Sequence, residues 1–237
     1  MALPEASSRR SGWIVPLSAT VMVGFGVILY GFSVYVTDHA AGAEFSKTVL
    51  SVAYGGSVFV GGLLALPVGR YADRHGVRAV VGAGALLGSL GLIVFSISNQ
   101  AWQVVAAWWV LIGPAQAMIY YEPAYVAINQ WSSVRDRARV LATVTLIGGL
   151  AGIVFIPLAE RLVTVLGWRP AVLVLGLVLL TVGEATALFA LPRRPEPRWR
   201  PRRESRSRDS FGTAGSCCTR RRWRSRSWPP RESSPIV

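Results

Sequence analysis

The residues best placed to do chemistry lie in Gly69-Arg70-Tyr71-Ala72-Asp73-Arg74-His75-Gly76-Val77-Arg78, where one carboxylate sits among three arginines between two long apolar segments. Asp73 can engage nearby basic groups or a helix N-terminus, Gly69 and Gly76 permit close helix approach and a compact turn, and the arginines can attract anionic headgroups. Such chemistry orients, anchors or gates; it forms and breaks no bond. Two further carboxylates, Glu122 and Glu184, interrupt apolar runs. A charge in hydrocarbon is costly unless it faces a cavity, gains a partner or takes up a proton. Glu122 therefore reads as a coupling or cavity residue, as an interfacial group hydrated by water, or as a substrate contact, and Glu184 as the second candidate.

The elements that must position these groups are apolar stretches at about 13 to 37, 48 to 68, 79 to 97, 103 to 128, 140 to 159 and 168 to 191, each near the roughly 20 residues of a spanning helix. The mean hydropathy of +0.42 averages two unlike parts, because residues 192–237 are far less apolar than the rest. In lipid every backbone polar group must find its partner internally, and no barrel-type alternation is evident. The expected fold class is therefore all-α and polytopic. The first stretch is long, carries Trp13 and Pro16 near its start and lacks a small-residue cleavage pattern, so it reads as a retained span.

Basic residues fix the expected orientation. Arg9 and Arg10, then Arg70, Arg74 and Arg78, then Arg135, Arg137 and Arg139, then Arg193 and Arg194 fall on one side; Lys47, Arg161 and Arg169 fall on the other. Both termini are expected in the cytoplasm of a multi-pass cell-membrane protein. The domain expectation is a cytoplasmic segment at 1–12, a six-helix domain at 13–191 and a basic tail at 192–237.

The glycines of the first two spans read as packing positions, Ser46 as the cap of the second helix, and Trp168 with Arg169 as an interfacial anchor. The fourth span and its basic margin hold the most polar content, Gln116, Tyr120, Tyr121, Glu122, Tyr125, Asn129 and Gln130, which makes it the helix expected to face an aqueous cavity.

The tail carries fourteen arginines against four acids and no apolar periodicity, so it is expected to be disordered and to add at most electrostatic attachment to anionic lipid. Nucleic acid is a poor fit, because no folded reader accompanies the arginines. Cys217 and Cys218 are adjacent and far from any His, which supports neither a disulfide framework nor a metal site. No cofactor is implied. The shift in composition after Arg194 raises the reading of an interrupted coding sequence, which the DNA from codon 185 onward would decide.

With Gly69, Asp73, Arg74, Gly76 and Arg78 in the pattern Gly-x-x-x-Asp-Arg/Lys-x-Gly-x-Arg/Lys between the second and third spans, the chain resembles the major facilitator superfamily. The resemblance covers residues 10 to about 191 and implies the N-terminal six-helix half of a twelve-span transporter, built from two inverted three-helix repeats. It also implies a gating role for those five residues, no enzymatic activity, and a small solute as cargo. Tyr120-Tyr121-Glu122-Pro123-Ala124-Tyr125 and Ile128-Asn129-Gln130-Trp131, followed by the arginines, resemble the monocarboxylate or oxalate/formate branch, which implies an organic anion. Two departures stand beside it. No Lys or Arg lies squarely within a span, and Trp109 precedes Gly113 where many proton-coupled members place Arg. A half-length unit is expected to need a complementary half, to self-associate or to be inactive; the alternative is a membrane interaction or structural protein that moves nothing.

Overall fold

Helices are what the apolar stretches form, and the computed structural model of the chain describes them across residues 12–37, 44–132 and 135–191. Among the described residues six helices are long and apolar enough to cross a membrane: α1 Ile14–Val36, α2 Lys47–His75, α3 Val77–Ile97, α4 Ala101–Trp131, α5 Arg137–Leu166 and α6 Trp168–Ala190. Ser46 caps α2, its Oγ accepting from the Val49 N–H at 3.3 Å, as the sequence predicts. The helices alternate in direction. One end of the bundle therefore gathers Trp13, Asp73, Gln130 and Arg137, and the opposite end gathers Glu44, Ser98 and Arg169.

The charged segment corrects one expectation. It is not a turn throughout, because α2 continues through Gly69 to His75 and the reversal falls on Gly76 alone. Nothing between Gly69 and His75 breaks a helix, whereas Gly76 adopts φ 98° and ψ 147°, a conformation that side chains rarely tolerate. The α5–α6 connection uses the same device: Gly167 sits at φ 84° and ψ 163°. Each of these glycines is followed two residues later by an arginine, Arg78 or Arg169, and each preceding helix carries an internal proline, Pro67 or Pro157. The second and third helices of each three-helix set thus repeat one pattern, at opposite ends of the bundle.

Small residues set the spacing. A Cβ on Gly24 or Gly26 would run into Ile119 of α4 or Phe155 of α5, and one on Gly61 would lie 3.1 Å from the Gly113 carbonyl oxygen of α4. Gly55, Gly62 and Gly69 have open space where a Cβ would stand. The close approach expected at Gly69 is accordingly absent among the described residues, while the turn expected at Gly76 is present. Core aromatics interlock on the side of Arg169: Trp108 meets Phe32 at 4.6 Å and Phe95 at 5.7 Å between ring centroids. The least buried helices are α2 and α5, with 22% and 28% of their apolar windows buried against 39% to 61% for the other four. They occupy the same place in each three-helix set.

Residues 1–11, which include Arg9 and Arg10, most of the first opposite-side connection and the whole of 192–237 with Cys217 and Cys218, lie outside the described residues.

Candidate functional site

The five residues of the charged motif gather around the reversal at Gly76, whose N–H donates to the Ala72 carbonyl at 2.9 Å and closes α2. Asp73 is exposed, and its Oδ1 accepts from Gln130 Nε2 on α4 at 3.3 Å. The motif is therefore tied to the end of α4, not only to its own turn. Arg70 and Arg74 are exposed, Arg78 is half-buried in the first turn of α3, and His75 stacks on Tyr71 with ring centroids 4.2 Å apart.

A second group forms where α4 is broken. Tyr120 leaves helical geometry at φ −71° and ψ −146°, which divides α4 into segments ending at Ile119 and restarting at Tyr121. Pro123 lies in the first turn after the break, where its missing N–H costs little. Phe25 of α1 stacks on Tyr120 at 4.0 Å and meets Tyr121 at 5.0 Å, and Tyr121 stacks on Tyr125 at 5.7 Å. Glu122 occupies the first turn of the restarted segment, the favourable end for a negative charge, with one carboxyl oxygen buried and without a hydrogen-bond partner among the described residues. The structure thus brings together Tyr120, Tyr121, Glu122 and Tyr125, with Phe25 as the partner that sequence alone did not supply.

Gln116 belongs elsewhere. It is buried, and its Nε2 donates to Ser57 Oγ of α2 at 3.1 Å, while Ser57 donates to the Tyr54 carbonyl. In this structure its amide ties α4 to α2. Glu184 also stands apart: its carboxylate faces Gly82 of α3, and one of its oxygens is buried without a partner among the described residues.

Trp109, the departure from the arginine pattern, lies over Gly56 of α2, and its indole N–H donates to the Val52 carbonyl at 3.1 Å. An indole has replaced a cation with a packing group that also holds one backbone hydrogen bond. Only Gly56, small enough to admit the ring, hints at this in the sequence. The Trp168–Arg169 reading needs correction as well. Trp168 is buried against Phe45 and Phe95, and Arg169 donates to the carbonyls of Ser96 and Ser98, to Asn99 Oδ1 and to Glu44 Oε2 at 2.7 to 3.1 Å. The end of α3 supplies carbonyls that no helical N–H can reach, and the guanidinium satisfies them in place of the membrane interface.

Six apolar helices, two glycine reversals at opposite ends and a charged motif at one of them define a multi-pass membrane protein. A family model, the Major Facilitator Superfamily, matches residues 10–230, and the chain belongs to that superfamily, whose members are carriers and not enzymes. Relatives include the MFS-type transporter pynF of Aspergillus niger, 28% identical over 207 residues that cover 82% of this chain and 45% of that one. The monocarboxylate transporter 11 of Mus musculus is 29% identical over 183 residues, covering 75% of this chain and 40% of its own length. The human monocarboxylate transporter 11 is 31% identical over 128 residues, 53% of this chain and 26% of its own. The chain spans less than half the length of the curated relatives it matches.

Proposed function

We propose that the six helices act as one half of a secondary transporter for a small solute, working with a complementary six-helix unit or with a second copy. The observation that carries this is the superfamily motif standing at a one-residue reversal and bonded to α4 through Asp73 and Gln130. Alternating access rocks two units about a central site. The sparse burial of α2 and α5 supports them as the faces that meet the second unit.

An organic anion is the cargo we favour, supported by the resemblance to monocarboxylate transporters. Gln116 and Glu184 enter this reading as supporting polar groups of the α4–α2 and α6–α3 seams. The experiment is purification, determination of oligomeric state and reconstitution with candidate carboxylates. Saturable uptake supports transport. A stable complex with another membrane protein and no uptake would support an interaction protein instead.

Gly69, Asp73, Arg74, Gly76 and Arg78 form the gate in this proposal. Asp73→Asn weakens one exposed charge-assisted hydrogen bond by about 0.5–1 kcal/mol, so exchange between inward and outward states should change by about two- to fivefold with substrate affinity unaltered. Cysteine accessibility in the active assembly reads the exchange. Reduced binding with unchanged exchange would remove Asp73 from the gate.

The arginine distribution supports cytoplasmic termini and a dispensable tail at 192–237. Cysteines introduced at positions 42 and 134 should label from opposite sides of intact membranes. Labelling of both from one side would overturn the topology.

A further inference from the structure

Between the end of α4 and the start of α5 lies a cavity of about 360 Å³ lined by Tyr125, Ile128, Asn129, Arg137, Ala138 and Leu141. Among the described residues Arg137 is the one ionised side chain that lines it. An Arg137 terminal nitrogen, Nη2, donates to the Asn129 carbonyl at 2.9 Å, which fixes the guanidinium across the end of α4. Its Nε is buried and has no hydrogen-bond partner among the described residues. A buried guanidinium N–H without an acceptor is costly, and a native protein that keeps one needs a reason.

The part of the Arg137 guanidinium that lines the cavity is what a ligand reaches, and its surroundings favour an anion there. Arg137 opens the first turn of α5, where the free backbone N–H groups favour negative charge. Arg135 and Arg139 are exposed on either side of it, against the one carboxylate of Asp136, so the local balance is cationic. The lining is graded as well. Arg137 and Asn129 stand at the end of the bundle, while Leu141 lies one helical turn further along α5, about 6 Å deeper into the apolar span. A free inorganic ion would use only the polar rim. A lipid uses both parts, its phosphate on the guanidinium and its glycerol and first methylenes against Ile128, Ala138 and Leu141.

We propose that this cavity is a phosphate-binding site for the headgroup of an anionic membrane lipid, with Arg137 as the ligating residue. The site is separate from the charged motif at Gly76 and does not depend on the transport reading. It does not involve the tail.

The test uses the full chain purified in a non-ionic detergent and native mass spectrometry with phosphatidylglycerol, phosphatidylcholine or inorganic phosphate as the probe. The wild-type chain should retain phosphatidylglycerol over phosphatidylcholine by about fivefold, the contrast expected of one well-placed arginine. Arg137→Gln should abolish that preference. Because this variant also loses the bond to Asn129, Ala138→Phe serves as the second: it fills the cavity while every charge remains, and it too should lose the preference. Arg139→Gln removes the same formal charge from an exposed position and should leave the preference in place. Equal loss in Arg139→Gln and Arg137→Gln would reduce the effect to general surface charge and overturn the site. So would retention unchanged by Ala138→Phe. Phosphate binding that depends on Arg137, with no lipid preference, would keep the oxyanion site and assign it to the free ion.

Discussion

Replacing Gly84 by valine should lower the stability of the helical domain by about 3 kcal/mol or more, the upper range for overpacking a closed interior. A Cβ at this position would stand 2.6 Å from Met118 Cβ, 2.9 Å from Ile119 Cγ1 and 3.2 Å from the Met118 carbonyl carbon. The first and third of these atoms move only with the α4 backbone, so a rotamer change cannot relieve the overlap and α3 must separate from α4. The β-branch of valine adds bulk at the same level. Gly55→Ala is the matched control: nothing lies within 4 Å of its Cβ position, and removing a helix-interior glycine should be neutral or stabilising by about 0.5–1 kcal/mol. Unfolding midpoints in detergent measure both. If the two variants unfold alike, the α3–α4 contact is not set by Gly84.

Arg169→Met should cost about 2–4 kcal/mol, because four acceptors lose one donor and two of them are carbonyls at the end of α3. The Glu44 bond alone does not account for this. Its side chains are 31% and 43% exposed, so Glu44→Gln should cost at most about 1 kcal/mol. Lysine should rescue Arg169 only in part, since one ammonium cannot reproduce the planar fork that reaches Ser96, Ser98 and Asn99 together. Thermal unfolding ranks the three variants. Proteolysis at the Arg169 end of the bundle should accelerate in Arg169→Met first. Equal effects of Glu44→Gln and Arg169→Met would mean that the ion pair, and not the carbonyl clamp, carries the energy.

Trp168 and Arg169 also illustrate why part of this protein was illegible in one dimension. An aromatic next to a cation at the end of an apolar run has the composition of a membrane anchor. Whether it meets lipid or protein depends on which neighbour the helix presents that face to, and here Phe45, Phe95 and the end of α3 stand there. Trp109 is a parallel case, since its indole acquires meaning only through Gly56 of another helix. Gln116, a cavity candidate in the sequence, is buried and donates to Ser57 of α2, a partner no local pattern marks. Arg137 reads from the sequence as one of the orienting charges, and nothing local marks its cavity with Tyr125 and Asn129, which arrive from α4.

What the sequence determined by itself was the solvent and the class of structure. Six apolar runs of spanning length oblige helices, because lipid offers no partner to an open backbone. Gly76 in its charged frame marked the reversal and the superfamily, since a one-residue connection between helices needs a positive φ. Ser46 marked a helix start, because its hydroxyl satisfies an N–H three residues away. Each of these rests on contacts within a few positions of the chain or on composition. Tertiary structure alone decided which faces of the helices meet. It placed Asp73 on Gln130, Phe25 over Tyr120, and Glu184 against Gly82. Those pairings join residues far apart in the sequence, and the uniform apolarity of membrane helices leaves no periodic signal to say which side turns inward.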